Sequence, residues 1–341
     1  MRAEVTIDQR HPGGLIEPGG EALHFVLRPA GRPPVDSLVV IRDSPRLIVY
    51  IPGFNTPLGP WEALKCRMLA DSFDATVVLT EIPGMSRFGD PIPAPVRNDM
   101  LRGRIEPWAE LTAGYVGEAI RVCGLGPFEE VHLIGYSTGC SLGAAAVSML
   151  PGPITRVTLI EPVSMVVRNL VELQAHNIAD WLRQPLSYRS NLPLDWAMAA
   201  HQSQRREPVV KYGLVDLVAI GMVLGRPDLA ASELPAGSRV DLARGQWSSL
   251  CRIDAIDTLH TSLASLGHPG VTAHVTGHGH PLWHSFPVIG PLLDSMTEGA
   301  GADQSSPAEQ SSPAEQSSPA EQSGPAEPSS PSSPADPSSD S

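Results

Sequence analysis

Five consecutive residues, Gly135-Tyr136-Ser137-Thr138-Gly139, carry the first chemical signal in this chain. A serine hydroxyl is a poor nucleophile until a base takes its proton and the backbone holds it clear of its surroundings. The spacing G-x-S-x-G suits the second need. A sharp strand-to-helix turn strains the serine backbone, and glycine two residues before and two after removes the Cβ atoms that would clash. The same turn aims the Thr138 N–H at the place where an oxyanion would form. The second signal is Thr276-Gly277-His278-Gly279-His280-Pro281-Leu282-Trp283-His284, three imidazoles in one short stretch. One of them could serve as the base. The spacing H-x-H-x-x-x-H could also ligate zinc, although no Asp or Cys ligand accompanies it.

G-x-S-x-G has only three fixed positions in a chain with 31 glycines, so its meaning depends on context. Val131, Leu133 and Ile134 read as a buried strand before it, and Cys140 to Met149 as a small-residue helix after it. Further strands are expected at Ala3–Ile7, Leu23–Leu27, Ser37–Ile41, Leu47–Ile51, Thr76–Leu79, Thr155–Ile160, Val240–Ala243 and Val271–Val275. Helices are expected at Trp61–Ser72, Trp108–Cys123 and Ile253–Leu266. This alternation predicts an α/β fold with a doubly wound, mostly parallel sheet.

The alternation stops after Glu161. In residues 164–235 the pattern is helical: Val167, Leu170, Val171, Ile178, Trp181 and Leu182 share one helical face, with further helices near Leu194–His201 and Val209–Leu224. The last is apolar nearly all round, so it is expected to be buried or to line a cavity. A helical block inserted between strands predicts a cap over the carboxyl edge of the sheet. The expected organisation is a core in residues 1–163 and 236–297, the cap in 164–235 and a tail in 298–341.

The tail has no large apolar residue and no Lys or Arg. Ser-Ser-Pro-Ala-Glu-Gln starts at Ser305, Ser311 and Ser317, with a decayed copy at Ser323. Such a segment cannot bury a core and is expected to be disordered. Eight of its residues are carboxylates, so of the net charge of −13 only about −5 belongs to the rest. That balance opposes nucleic-acid binding, which needs a basic face. The four cysteines have no CxxC spacing and read as buried thiols. The N-terminus lacks the apolar centre of a signal peptide, and no stretch is long and apolar enough to span a bilayer. The cytoplasm is therefore the expected compartment.

These motifs together resemble the α/β-hydrolase fold superfamily over roughly residues 37–297. Strand Leu47–Ile51 into Pro52-Gly53-Phe54 resembles the strand leading to the His-Gly-x oxyanion loop, with Pro52 in the place of histidine. Glu81-Ile82-Pro83-Gly84 resembles the D-x-x-G loop, and Gly277-His278-Gly279-His280 the G-x-G-H loop. The resemblance implies acyl transfer to water with no cofactor and a small-molecule acyl substrate. Ser137 would be the nucleophile, and His280, with His278 as runner-up, the base; His284 is expected on the next helix. The N–H groups of Phe54 and Thr138 would form the oxyanion hole. The acid departs from the family pattern, because Gly245-Gln246-Trp247-Ser248-Ser249 holds no carboxylate where one is usual. Glu161 is the best substitute; Asp254 and Asp257 follow, Asp241 lies inside a strand, and a Ser–His dyad needs none. An acyltransferase and an inactive, ligand-binding relative remain open. Epoxide hydrolases and dehalogenases are disfavoured, because they place Asp where Ser137 stands.

Overall fold

The computed structural model describes residues 4–7, 22–183, 210–226 and 234–302. The expected helix near Leu194–His201 and the repeats from Ser305 onward lie outside these residues. Strands β1 (Glu4–Ile7), β2 (Ala22–Arg28), β3 (Val35–Val40), β4 (Arg46–Ile51), β5 (Thr76–Thr80), β6 (Glu130–Tyr136), β7 (Ile154–Ile160), β8 (Arg239–Gly245) and β9 (Thr272–Val275) form one sheet. Among the described residues its order is β1-β2-β3-β5-β4-β6-β7-β8-β9. The pairings from β1 to β5 through β3 are antiparallel, and those from β5 onward are parallel.

The parallel strands are continuous apolar runs because both of their faces are covered. In β4, Leu47, Val49 and Ile51 face one core and Ile48 and Tyr50 the other. Helices α1 (Pro60–Phe73) and α8 (Phe286–Ala302) cover the Ile48 side through Leu64, Leu69, Ile289 and Leu293. Helices α2 (Ala94–Leu101), α3 (Glu106–Val122), α4 (Thr138–Ala146) and α7 (Ile253–Ser265) cover the other, through Met100, Trp108, Leu142 and Ile256. Helix α8 takes in the first five residues of the expected tail, 298–302.

Two helices of the expected cap are described, α5 (Leu170–Arg183) and α6 (Leu214–Leu224). Both correct the sequence reading. The apolar stripe Val171, Ile178 and Leu182 points to solvent, and Val167, also exposed, precedes the helix. The inward face of α5 is instead mixed, with Leu170, Leu173, Gln174 and Asn177 on the cavity. Helix α6 starts at Leu214, not Val209, because Lys211 pairs with Ser86 in extended form and Gly213 caps the helix. It is not enclosed all round: Leu214, Val215, Val218 and Met222 are exposed, while Leu217, Ile220 and Leu224 line the cavity. Asp216, in its first turn, is buried and accepts the Ile92 N–H and the Arg97 guanidinium. No helix among the described residues is long and apolar enough to cross a membrane.

The loop after β5 holds a buried acid. Glu81 accepts the Asp36 N–H at 2.9 Å and the Arg87 N–H at 3.3 Å. Burial, and then the Asp36 carboxylate beside it, push its pKa up to about 7 from 4.5. An acid whose pKa rises on folding binds more protons in the native state, so stability falls as pH climbs from about 4.5 to 7. Urea unfolding of the wild type and Glu81→Gln across that window should show their stability difference moving in the variant's favour, by up to about 3 kcal/mol. A difference that stays level would place the raised pKa elsewhere.

Candidate active site

Open α/β sheets gather their sites at the carboxyl ends of the parallel strands, and register does that here. Ile51 lies beside Gly135, Tyr136 beside Ile160, and Ile160 beside Ala243. The loops leaving β4, β6, β7 and β8 therefore start side by side.

Ser137 stands between β6 and α4 with φ 53° and ψ −116°, a conformation that non-glycine residues rarely adopt. Its glycines are required, each by a different neighbour. A Cβ on Gly135 would lie 2.7 Å from the Gly139 carbonyl oxygen and the Cys140 Cα. One on Gly139 would lie 2.0 Å from the Ile51 carbonyl oxygen, so the elbow is wedged against the end of β4. The Ser137 Oγ is 2.7 Å from His280 Nε2. His280 opens a short 3-10 helix (His280–His284) after β9. Its ring stacks on Tyr136, whose hydroxyl donates to the His280 carbonyl oxygen at 3.1 Å.

Glu161, immediately after β7, also has a positive φ of 57°. That kink turns its buried carboxylate towards the histidine, and Oε2 lies 2.9 Å from His280 Nδ1. A carboxylate only accepts, so the imidazole proton sits on Nδ1 and Nε2 is left to face the serine. The Ser248 hydroxyl donates to Glu161 Oε2 at 2.5 Å, and the Gly245 N–H donates to Oε1. Ser248 in turn accepts the Cys251 N–H at 3.1 Å. The loop after β8, which lacks a carboxylate of its own, thus cradles the one from the neighbouring strand. Sequence reasoning missed Gly245 and Ser248 in this part. The signal was there: two serines and a glycine stand where an acid was sought.

That loop is itself held from several sides. Arg244 donates to the Cys251 carbonyl at 3.0 Å, and Arg168 to those of Leu250 at 2.6 Å and Ser249 at 2.9 Å. Asp180 of α5 accepts the Ser249 hydroxyl at 2.8 Å and the Ser249 and Leu250 N–H groups.

The other candidates lie apart from Ser137. His278 contacts the Thr276 carbonyl and the Ser285 hydroxyl. His284 lies in the 3-10 helix, not on the helix after it, with Nδ1 3.3 Å from Lys65 Nζ. The three imidazoles thus have separate partners. Asp254 and Asp257 are exposed on α7, Asp254 paired with Arg252, and Asp241 is buried in β8 with Arg156 and Arg239. No group of three or more metal-ligating side chains occurs among the described residues. Cys66, Cys140 and Cys251 are buried, which pushes each thiol pKa up and keeps it protonated.

A cavity of about 520 Å³ opens over Ser137 and His280. Phe54 and Thr138 line it next to the serine. Thr138 begins α4, where N–H groups have no acceptor within the helix. Gly53 lets the β4 loop run against Tyr136, since a Cβ there would meet the ring at 2.7 Å, and Phe54 packs on Tyr212. Its lining mixes apolar side chains, Val163, Leu173, Ile220 and Leu224, with polar ones, Glu62, Gln174, Asn177 and His284.

No protein-family profile and no curated protein sequence matches the chain. Solved structures do. A thermostable carboxyl esterase from Bacillus coagulans shares 12% identity at a TM-score of 0.57, over 82% of this chain and 98% of its own. An α/β hydrolase fold protein from Chitinophaga pinensis shares 10% at 0.54, over 83% and 98%. The thioesterase domain from the curacin biosynthetic pathway shares 16% at 0.50, over 80% and 98%. The chain has the α/β-hydrolase fold.

Proposed function

We propose that this protein is a serine hydrolase that cleaves an ester or thioester through an acyl-enzyme on Ser137. The observation that carries the reading is the continuous relay Ser137 Oγ to His280 Nε2 at 2.7 Å and His280 Nδ1 to Glu161 Oε2 at 2.9 Å. In the first step Ser137 Oγ bonds to the substrate carbonyl carbon while its proton passes to His280 Nε2. Glu161 stays ionised and stabilises the imidazolium. The carbonyl oxygen, now an anion, is held by the Phe54 and Thr138 N–H groups, each typically worth about 3–4 kcal/mol in the barrier. The C–O or C–S bond then breaks, and His280 returns the proton to the leaving alcohol or thiol. Water repeats the sequence and frees Ser137 and the acid product.

Helices α5 and α6 act in this reading as a cap over the bound acyl group, supported by their places on the cavity. The names of the structural neighbours, an esterase and a thioesterase among them, are consistent with the reaction class. The rival of an inactive, ligand-binding scaffold rested on the missing carboxylate after β8; the reach of Glu161 from β7 to His280 supports the enzyme reading against it.

A fluorophosphonate probe, followed by mass mapping, tests the proposal. One adduct per chain, on Ser137, is expected. Folded protein that stays unlabelled would overturn the reading in favour of the ligand-binding scaffold.

A further inference from the structure

Glu161 is cradled by the loop after β8, and that loop is fixed differently along its length. Its first part is tied to the histidine side. The Gln246 N–H donates to the Val275 carbonyl and the Trp247 N–H to that of His278, each at 2.9 Å. Gly245 fits against the same stretch, where a Cβ would lie 2.5 Å from the carbonyl oxygens of His278 and Gly279. Its second part, residues 248–251, is tied to α5 and to the residues just before it. Asp180 of α5 is fully buried and accepts the Ser249 N–H at 2.9 Å, the Leu250 N–H at 3.2 Å and the Ser249 hydroxyl at 2.8 Å. Arg168, also buried and just ahead of α5, donates to the carbonyls of the same two residues. Arg244 of β8 takes the Cys251 carbonyl.

This grip reaches the relay through Ser248. With residues 249–251 in place, the Cys251 N–H donates to Ser248 Oγ at 3.1 Å. A hydroxyl has one proton to give, and Ser248 gives it to Glu161 Oε2 at 2.5 Å. Oε2 is also the oxygen that meets His280 Nδ1. A loop that shifts therefore takes its donor away from the atom on which the imidazole depends. The main chain of α5 lies against the base as well: the Asp180 carbonyl oxygen is 3.5 Å from where a Cβ on Gly279, the residue before His280, would stand. Burying a carboxylate is costly unless its oxygens are satisfied, and both oxygens of Asp180 meet donors of this loop. Asp180 does not line the cavity. We infer that Asp180 is a positioning residue for the relay, holding residues 249–251 so that Ser248 presents its proton to Glu161. This inference rests on the hydrolase reading above and extends its machinery to α5.

The test measures kcat and KM for p-nitrophenyl butanoate, with kcat counted per site titrated by a fluorophosphonate. Asparagine keeps the shape of Asp180, but both carboxylate oxygens accept a backbone N–H, so its NH2 group faces a donor whichever way the amide turns. Asp180→Asn should lower kcat by at least tenfold and up to about a hundredfold, the effect of a small misplacement of a reacting group, and leave KM within about twofold. A merely structural role would lower the number of titrated sites and not kcat per site. Ser248→Ala should lower kcat about tenfold, the worth of a hydrogen bond to a charged group. The double variant should lose no more than the larger single loss, because both changes act on one oxygen of Glu161. Losses that multiply, a loss carried by KM, or a kcat within about twofold of wild type in folded Asp180→Asn each overturn the inference. If Asp180→Asn does not fold, Ser249→Ala, which removes one donor to Asp180, takes its place with an expected loss of about fivefold and the same overturning outcomes. If the wild type turns over no ester, the hydrolase reading fails, and the imidazole N–H resonance of His280 in protein with isotope-labelled histidine decides. A resonance shifted or lost in the variant sustains the positioning role; an unchanged one overturns it.

Discussion

Replacing Ser137 by alanine should lower kcat on an activated ester roughly a millionfold, about 8 kcal/mol in the barrier. The size follows from the relay acting as a unit. Without the oxygen there is no acyl-enzyme, and His280 has no serine proton to take. What remains is whatever the oxyanion donors and substrate binding supply. Alanine keeps the Cβ and adds no bulk at the crowded turn, so the fold should survive. The measurement is steady-state hydrolysis of p-nitrophenyl esters, with circular dichroism as the control on folding. Turnover within tenfold of wild type would remove Ser137 as nucleophile.

Glu161→Gln is the second large effect, a loss of roughly 10⁴-fold in kcat, or about 5 kcal/mol. Glutamine fills the same space and tolerates the same backbone about as well. Its amide can offer a donor to His280 Nδ1 where only an acceptor is wanted. The imidazole then prefers the tautomer with its proton on Nε2, facing Ser137, and cannot serve as base. Asp254→Asn is the comparison, because that side chain is exposed and paired with Arg252; its kcat should stay within about twofold, the ordinary range for a surface change. Equal, small losses in both variants would mean that the histidine works without an acid. A large loss only in Asp254→Asn would move the acid to α7.

Much of this geometry was legible in the sequence, for reasons tied to particular residues. The elbow announced itself because a serine in so sharp a turn needs glycine at 135 and 139, and each of these is now seen against a backbone atom that forbids a side chain. The buried parallel strands were visible as apolar runs. The histidine was legible only as a choice among three, since spacing does not show which ring turns towards β6. The carboxylate partner of His280 was harder still. A carboxylate on one strand that completes its hydrogen bonds on the next leaves no local pattern, and Ser248 reads as loop until the two strands are placed side by side. The periodicity also marked an apolar stripe on α5 but could not say which way it faces. Leu170, Leu173, Gln174 and Asn177, a mixed face, turned out to be the inner one. Helix α2 escaped notice because it is short and carries Pro95 in its first turn, where proline is tolerated.

Helices α5 and α6 are moored at different places. Helix α5 grips, through Asp180, the same loop whose Ser248 steadies Glu161. Helix α6 hangs at its first turn from Asp216 on Ile92 and Arg97, far along the chain from that loop. If Ser137 works as proposed, a lineage that remodels α6 can trade one acyl group for another and leave the proton machinery as it found it. One that remodels α5 redraws the doorway and the engine mount in the same stroke.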